Sequence, residues 1–284
     1  MGIYSDILLT VDFDRTLTAP DSSIPQRNLD AIRYFMDNGG TFTVNTGRSV
    51  PMTHWFRDRV PVNAPLLLFN GAAAYEVATG ALSQIHAMDL DQKQVIETLM
   101  QLFPDLTVEI QAVDAHYIFS PNPDWEIYND NSLCPWAYAT PGNVPGPFLK
   151  FTLYGDLSGH RVASMFQATA EEEARMQEVM GTIDALWGDQ VEICYPAKKI
   201  VDVQAKGISK LTAGRELQHA LGKKILVCVG DAENDLSMME GADYAFCPAD
   251  GIIADRFDTV CNCADGAVAD VIYKKIPEIL GLQP

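Results

Sequence analysis

The chain has 284 residues, of which 48% are hydrophobic and 20% charged, a balance typical of a folded globular protein rather than a disordered one. Its net charge of −18 disfavours contact with nucleic acid or an anionic membrane, and no basic patch stands out. No apolar run approaches the roughly 20 residues that span a bilayer, and the first six residues lack the positive start of a signal peptide. We therefore expect a cytoplasmic protein that binds neither nucleic acid nor membrane, as a monomer or weak homo-oligomer.

The first fifty residues alternate between strand and helix signals. Residues 7–11 form a short apolar run that predicts a buried parallel strand. Apolar residues at helical spacing follow Pro25 and stop at Gly39 and Gly40, and residues 41–46 read as a second strand. This order predicts a right-handed βαβ unit.

The last ninety residues repeat this alternation. The patterns predict a helix over 208–221 and a strand over 225–229, then a helix near 236–240, strands near 244–247 and 259–261, and a helix over 266–280. Both ends of the chain therefore predict one doubly wound α/β core with a parallel sheet.

The middle of the chain has a different pattern. Alternating strands at 106–110 and 148–153 predict an antiparallel sheet with one buried face, accompanied by helices near 91–103 and 159–180. The simplest organisation is an α+β domain inserted at 78–196.

The rest of the chain, residues 1–77 and 197–284, would then form the core. Charge follows the same division, because 78–196 holds 17 acidic and four basic residues and so carries −13 of the total −18. The six cysteines are scattered without the paired spacing of a zinc site, which predicts reduced thiols.

Polar side chains gather where the predicted strands end. Asp12 and Asp14 follow the first strand, at the edge where open α/β sheets bind ligands. Alone, this D-x-D-x-T pattern is weak, and an isolated match is more often a helix cap. Three further strand ends carry polar loops: Thr46-Gly47-Arg48-Ser49, Asn70-Gly71-Ala72 (itself also a hairpin signal) and Gly230-Asp231-Ala232-Glu233-Asn234-Asp235. Such convergence on one sheet edge predicts a functional site.

These four segments, in this order, resemble the haloacid dehalogenase (HAD) superfamily, and more narrowly its Cof-type phosphatases of subfamily IIB, which carry a type C2B cap. The spacing agrees with that cap class. Only 34 positions separate Asp12 from Thr46, whereas 164 separate Thr46 from Lys210 and leave room for an inserted cap.

The family also requires a lysine, for which Lys206 and Lys210 both offer matches. Counting from Lys210 brings Ala213, Leu217 and Gly222 into the family's register, so we expect Lys210.

The resemblance implies a phosphomonoester hydrolase for small phosphorylated metabolites such as sugar phosphates or pyridoxal phosphate. Asp12 would be the nucleophile that forms an aspartyl-phosphate, and Asp14 the general acid and base, with Lys210 as third catalytic residue. Mg²⁺ is the implied cofactor. Its expected ligands are Asp12, the backbone carbonyl of Asp14, and Asp231, with support from Asp235. The expected phosphate-binding residues are Phe13, Thr46, Gly47, Arg48, Lys210 and Asn234.

One position departs from the family pattern, since Arg15 stands where Gly is common. We expect its guanidinium to narrow the mouth of the site or to face the substrate. Two other functions stay open. A phosphotransferase or mutase would protect the aspartyl-phosphate from water, and a catalytically silent protein would only bind phosphometabolites.

Overall fold

The computed structural model describes residues 2–158 and 167–282. The chain divides into two compact units. The first comprises Met1–Gly47, Trp55–Gln84 and Ser209–Pro284, and the second comprises Arg48–His54 and Ile85–Ile208. Below, they are called the first and second units.

These bounds differ from the expected insertion at 78–196 for a physical reason at each end. Residues 78–84 stay with the first unit because Leu82–Ser83 pairs with a strand of that unit. Residues 197–208 stay with the second because Ile200–Ala205 is hydrogen-bonded between two of its strands. Their roles as catalytic core and specificity cap stay a prediction.

The strands in chain order are β1 (Ile7–Val11), β2 (Thr41–Val44), β3 (Leu66–Leu68), β4 (Ala73–Tyr75), β5 (Leu82–Ser83), β6 (Thr107–Gln111), β7 (His116–Ile118), β8 (Trp136–Tyr138), β9 (Lys150–Tyr154), β10 (Val191–Ala197), β11 (Ile200–Ala205), β12 (Ile225–Val229), β13 (Tyr244–Pro248) and β14 (Asp258–Val260). The α-helices are α1 (Gln26–Asp37), α2 (Gln92–Leu102), α3 (Pro123–Asn131), α4 (Ala170–Trp187), α5 (Lys210–Ala220), α6 (Leu236–Glu240), α7 (Ala267–Asp270) and α8 (Ile276–Ile279). None of the described helices is long and apolar enough to cross a membrane.

Two helix predictions differ in detail from the structure. The expected helix near 159–180 corresponds to α4, and its part at 159–166 lies outside the described residues. The closing helix predicted over 266–280 is divided, because a π-helical turn at Val271–Lys275 separates α7 from α8.

A five-stranded parallel sheet forms the centre of the first unit, in the order β14-β13-β12-β1-β2. In β1, Leu9 lies opposite Val227 on one side and Phe42 on the other. All five residues of β1 are buried, as expected for a central strand covered on both faces. The predicted α/β fold with a doubly wound parallel sheet is confirmed, and the carboxyl end of β1 lies between those of β12 and β2.

The strand at Leu66–Leu68 lies beside the end of β2, and the expectation that it ends at the same edge agrees with a 3.1 Å hydrogen bond from the N–H of Asn70 to the carbonyl of Thr46. It pairs antiparallel with β4 in the small sheet β3-β4-β5, and one parallel bridge joins Asn45 to Leu67. The hairpin alternative for Asn70-Gly71 is the one that the structure adopts. Positive φ angles of 56° at Asn70 and 100° at Gly71 reverse the chain there, a conformation that these residue types tolerate.

The second unit contains a six-stranded sheet in the order β10-β11-β9-β6-β7-β8. Its apolar face forms a core with α2 and α4, to which Ile110 on β6 and Phe151 on β9 contribute. The expectation that only one face is buried is wrong for β6 and β9, all of whose residues are buried. Polar side chains cover their second face and bond to one another, so alternation along the sequence does not reveal that this face is also shielded from water.

Candidate active site

The first site residue, Asp12, stands directly after β1. Its backbone N–H donates to the carbonyl of Val229 at 2.9 Å, which extends the pairing of β1 with β12 by one residue. Its side chain is 9% exposed. A short helical turn at Phe13–Leu17 follows, in which Arg15 has a φ of 61°. This left-handed conformation is strained for a residue with a Cβ and explains why glycine suits the position.

Lys210 begins α5 and lies between two carboxylates. Its Nζ atom donates to Oδ1 of Asp12 at 2.6 Å and to Oδ1 of Asp235 at 2.6 Å, and the side chain is 1% exposed. Ser209 caps the helix by accepting from the N–H of Thr212. Lys206, the other candidate, is half exposed and lies 3.8 Å from Glu192 in the second unit. The structure therefore brings Lys210, and not Lys206, to Asp12.

Asp231 and Asp235 lie in the turn after β12 and have different partners. Oδ2 of Asp235 accepts from the backbone N–H groups of Asp231 and Ala232 at 3.0 and 3.1 Å, while its Oδ1 accepts from Lys210. Asp231 accepts a hydrogen bond of 2.9 Å from the hydroxyl of Thr16. Both oxygens of Asp235 are thus engaged within the protein, and its carboxylate braces the turn that presents Asp231.

Burial and mutual repulsion raise the pKa values of the Asp12 and Asp231 carboxyl groups. For Asp12, desolvation is the largest cause; Lys210 opposes it, Asp235 and Asp14 reinforce it, and the pKa reaches about 7. The pKa of Asp231 is raised well above its usual range by desolvation and then by Asp235 and Asp12. One ammonium group therefore does not balance this group of carboxylates.

Such a donor set suits a divalent cation. Asp12, Asp231 and Asp235 each offer a carboxylate oxygen, and these oxygens lie within 4.8 Å of one another. Hard cations such as Mg²⁺ bind to oxygen ligands, and added positive charge would relieve the repulsion among the acids. The Nε atom of Arg15 lies 3.9 Å from Oδ2 of Asp231, so a guanidinium also faces this group.

The expected phosphate-binding residues of the first unit lie near strand ends. Thr46 is buried after β2, and its N–H donates to Leu67 at 2.9 Å. A Cβ on Gly47 would lie 2.7 Å from Oδ1 of Asn70, which explains glycine there. Phe13 stacks on Phe56 with ring centroids 4.2 Å apart.

Two expected residues are less enclosed than these. Asn234 is half-buried in the turn between Asp231 and Asp235. Arg48, also half-buried, falls in the second unit rather than in the expected core.

Two supporting residues were not assigned a role from the sequence. Asn45, fully buried beyond β2, donates from Nδ2 to the carbonyl of Lys210 at 2.7 Å and so holds the start of α5. A polar residue within an apolar strand run is the signal that identifies it. Thr16 stood in the D-x-D-x-T pattern, which gives no indication that its hydroxyl binds Asp231.

A model of the haloacid dehalogenase-like hydrolase family matches residues 9–253. The chain belongs to this family. The predictions of a hydrolase and of a HAD superfamily member are thereby confirmed.

Relatives of the HAD-like chain agree with the family match. It is 22% identical over 267 residues to the 5-amino-6-(5-phospho-D-ribitylamino)uracil phosphatase of Bacillus subtilis, covering 91% of this chain and 94% of that protein. It is 24% identical over 236 residues to an HMP-PP phosphatase of Yersinia enterocolitica, covering 82% and 80%.

The fold of the HAD-like chain is shared with solved structures. A subclass IIB sugar phosphatase superposes with a TM-score of 0.74 at 18% identity, covering 96% of this chain and 98% of that one. A hydrolase of the same superfamily from Bacteroides thetaiotaomicron gives a TM-score of 0.76 at 15% identity, with 94% and 98% covered. The chain therefore shares the fold of a subclass IIB sugar phosphatase, in agreement with the predicted resemblance.

Proposed function

We propose that this hydrolase is a Mg²⁺-dependent phosphatase that cleaves phosphomonoesters of small metabolites through an aspartyl-phosphate on Asp12. The observation that carries the proposal is the buried position of Asp12 beside Lys210, within reach of Asp231. A carboxylate is anionic without a general base, so it can attack phosphorus directly.

In the first step, an oxygen of Asp12 attacks the phosphorus atom and the bond to the ester oxygen breaks. Asp14 donates a proton to the departing alkoxide, which leaves as an alcohol. The ammonium group of Lys210 lies 2.6 Å from Asp12, so it is positioned to stabilise negative charge on the transferring phosphoryl group.

In the second step, water attacks the phosphorus of the aspartyl-phosphate and the bond to Asp12 breaks. Asp14, now ionised, accepts the proton of that water, and inorganic phosphate is released. Thr46, the backbone N–H groups of Phe13 and Gly47, and Asn234 are proposed to hold the phosphate oxygens through both steps, with Arg48 as a further anion-binding group.

The proposed cation would be held by Asp12, the carbonyl of Asp14, and Asp231, while Asp235 supports the turn. When bound, Mg²⁺ would neutralise the repulsion between these acids and a dianionic phosphate. The raised pKa values of Asp12 and Asp231 support this assignment because they report an excess of buried negative charge.

The test is release of inorganic phosphate from a panel of sugar phosphates, nucleotide-precursor phosphates and pyridoxal phosphate, with and without Mg²⁺. We expect activity with Mg²⁺, and its loss in Asp12→Asn. Asp30→Asn, a change of the same chemistry at an exposed position of α1, is the control and should leave turnover intact. Full turnover by Asp12→Asn would overturn the mechanism.

The same assay separates the two other candidate functions. A mutase or phosphotransferase would consume the ester without releasing phosphate in proportion, and a silent binding protein would bind the ester unchanged. Small phosphorylated substrates are favoured because the relatives named above are phosphatases of such compounds.

A further inference from the structure

The loop that follows β13, residues 249–253, folds back onto the turn that carries Asp231. The backbone N–H groups of Ile252 and Ile253 donate to the carbonyl of Asp231 at 2.7 and 3.2 Å. Pairing between strands does not supply these bonds, because β12 ends at Val229, before Asp231. The 249–253 loop therefore places two donors on one carbonyl of a residue in the proposed site.

Gly251 lets this loop approach Asp231 closely. A Cβ at this position would lie 2.6 Å from Sγ of Cys247, 3.1 Å from the carbonyl oxygen of Pro248 and 3.2 Å from Cβ of Asp231. Cys247 is fully buried, so its sulfur has little room to move. The φ of Gly251 is not positive, so space and not backbone conformation requires glycine here. A larger residue would push the loop away from Asp231.

Asp250 attaches the same loop to a second segment of the first unit. Its Oδ1 accepts from the backbone N–H of Cys263 at 2.9 Å, and its Oδ2 accepts from Sγ of Cys263 at 3.2 Å. Burial, and after it the Asp250 carboxylate, raises the pKa of the Cys263 thiol to about 12, so the thiol keeps its proton and donates. Cys263 begins the short turn at Cys263–Asp265, before α7. The loop is thus bonded to this turn and to Asp231.

Little apolar burial holds the loop in place. Of its five residues, only Ile253 is buried, and Ile252 is 55% exposed. The burial of apolar surface is the main favourable contribution to the position of most segments, and here it is small. The position of the loop therefore depends on the two hydrogen bonds of Asp250 and on the close fit at Gly251.

Asp231 is held at its backbone and at its side chain by different residues. The loop bonds to its carbonyl, Asp235 accepts from its N–H at 3.0 Å, and the hydroxyl of Thr16 donates to its Oδ1 at 2.9 Å. Partners that orient a metal ligand strengthen metal binding, because an oriented ligand loses less freedom when the metal binds. The contacts of the loop therefore matter for the affinity of the proposed cation.

We propose that Asp250 and Gly251 are positioning residues that hold the 249–253 loop against Asp231 and so fix the direction of the Asp231 carboxylate toward the cation. The inference rests on the proposed function, in which Asp231 binds Mg²⁺. Asp250 and Gly251 act through the backbone of Asp231, and Asp250 uses both of its oxygens for Cys263.

Asp250→Ala tests the attachment to Cys263, with Mg²⁺ binding measured by isothermal titration calorimetry in the absence of substrate. The dissociation constant of Mg²⁺ should rise about tenfold or more, as is usual when a partner that orients a metal ligand is removed. The matched control is Asp255→Ala, which removes the same charge from an exposed position in the turn at Ala254–Arg256. It should change the dissociation constant less than about threefold, since exposed charges are screened by salt. Equal rises in the two variants would overturn the inference.

Asp250→Asn separates the hydrogen bond from the charge. Its amide oxygen can still accept from the N–H of Cys263, so the dissociation constant of Mg²⁺ should stay within about threefold of the wild type. If Asp250→Asn weakened Mg²⁺ binding as much as Asp250→Ala, the charge of Asp250 and not its hold on the loop would be responsible, which would overturn the inference.

Gly251→Ala tests the close approach of the loop. The added Cβ should raise the dissociation constant of Mg²⁺ about tenfold or more, because it displaces the loop that orients Asp231. Gly181→Ala on α4 is the control, since an added Cβ there would meet open space, and it should bind Mg²⁺ as the wild type does. Wild-type affinity in Gly251→Ala would overturn the role of Gly251. If Gly251→Ala does not fold, the Asp250 variants decide the inference.

Hydrogen exchange gives a readout that does not depend on the cation. The amides of Ile252 and Ile253 should exchange faster in Asp250→Ala than in the wild type, and at the wild-type rate in Asp255→Ala. Equal exchange in all three proteins would overturn the hold of Asp250 on the loop. A wild type that binds no Mg²⁺ but shows the expected exchange would contradict the proposed function and support the attachment of the loop to Asp231.

Discussion

Both units bury ionised side chains, but they treat the same chemical group in opposite ways. In the first unit, three carboxylates (Asp12, Asp231 and Asp235) lie close to one ammonium group, which bonds to Asp12 and Asp235, and the pKa values of Asp12 and Asp231 are raised. In the second unit, burial alone would raise the pKa of Glu109, yet the facing imidazolium of His116 and the Trp125 hydrogen bond hold it below its usual range. Negative charge that the protein leaves unbalanced suits the binding of a cation. Charge that is balanced internally indicates a fixed element of structure.

The largest effect that this comparison predicts follows from removing Lys210. Lys210→Met should lower kcat/KM by about 10³-fold, because one preorganised donor at the transferring group is lost. It should also lower the free energy of unfolding by about 3 kcal/mol without added metal, since buried carboxylates lose their partner. Steady-state kinetics and urea denaturation measure the two quantities.

Lys206→Met is the matched control, because Lys206 is exposed beside Glu192. It should change the free energy of unfolding by less than about 0.5 kcal/mol, as surface substitutions usually do. If Lys210→Met and Lys206→Met lowered the free energy of unfolding equally, Lys210 would not be the lysine that stabilises the buried carboxylates.

Metal binding is the second test of the comparison. Mg²⁺ at about one hundred times its dissociation constant should stabilise the wild type by about 2.7 kcal/mol, measured as a rise in melting temperature. The rise should vanish in Asp231→Asn, which removes a proposed ligand.

Glu109→Gln should keep this response, although its starting stability is lower. If Glu109→Gln lost the rise in melting temperature, or if Asp231→Asn kept it, the cation would not bind at the carboxylates around Asp12.

A smaller, pH-dependent effect concerns His116. Its pKa is raised in the folded state, so its contribution to stability is complete below about 6.5, the unfolded value, and is lost as pH rises toward about 10. Glu109 has a lowered pKa, so its contribution is present above about 4.5 and is lost as pH falls further. Among the described residues, the groups that face the pair are Ser49, Trp125, Cys134, Lys150 and Tyr154.

Urea denaturation of the wild type and His116→Gln at several pH values measures this contribution. The stability difference between the two proteins should be largest between about pH 5 and 6.5 and should shrink steadily toward pH 10. A difference that grows with pH would mean that the ring is neutral in the folded protein.

The smallest predicted effect is at Arg15. Its left-handed φ of 61° costs about 1–2 kcal/mol in a residue with a Cβ. Glycine avoids this cost, but its greater freedom in the unfolded chain cancels about 0.5–1 kcal/mol of the gain. Arg15→Gly should therefore stabilise the protein by about 0.5 kcal/mol in urea denaturation. If the activity of Arg15→Gly over the substrate panel equals that of the wild type, the Arg15 guanidinium does not have the expected role at the mouth of the site.

The sequence was most informative where parallel strands end. Asp12 and Asp231 are far apart in the chain, yet motifs at two strand ends predicted that they meet, because parallel strands share a carboxyl edge. Lys210 was expected at the same place only from the family's register. The same argument did not reveal that Leu66–Leu68 also pairs antiparallel with β4, since a short apolar run does not show in which direction its neighbour runs.

The contacts of the second unit were beyond such reasoning. Glu109 and His116 occupy alternating polar positions that look solvent-exposed in sequence, and their burial depends on partners such as Ser49, 67 positions away. No local pattern encodes an ion pair formed across strands. Likewise, the motif containing Asp235 does not indicate that backbone N–H groups occupy one of its oxygens.

The central claim is that the unbalanced carboxylate Asp12 becomes phosphorylated during turnover. Acid quenching of the enzyme with Mg²⁺ and its best substrate, followed by mass spectrometry of the peptide that contains Asp12, tests it most directly. We predict a phosphoryl group on Asp12 in the wild type and none in Asp12→Asn. Steady release of phosphate from the wild type with a phosphoryl group on another residue, or on none, would contradict the account.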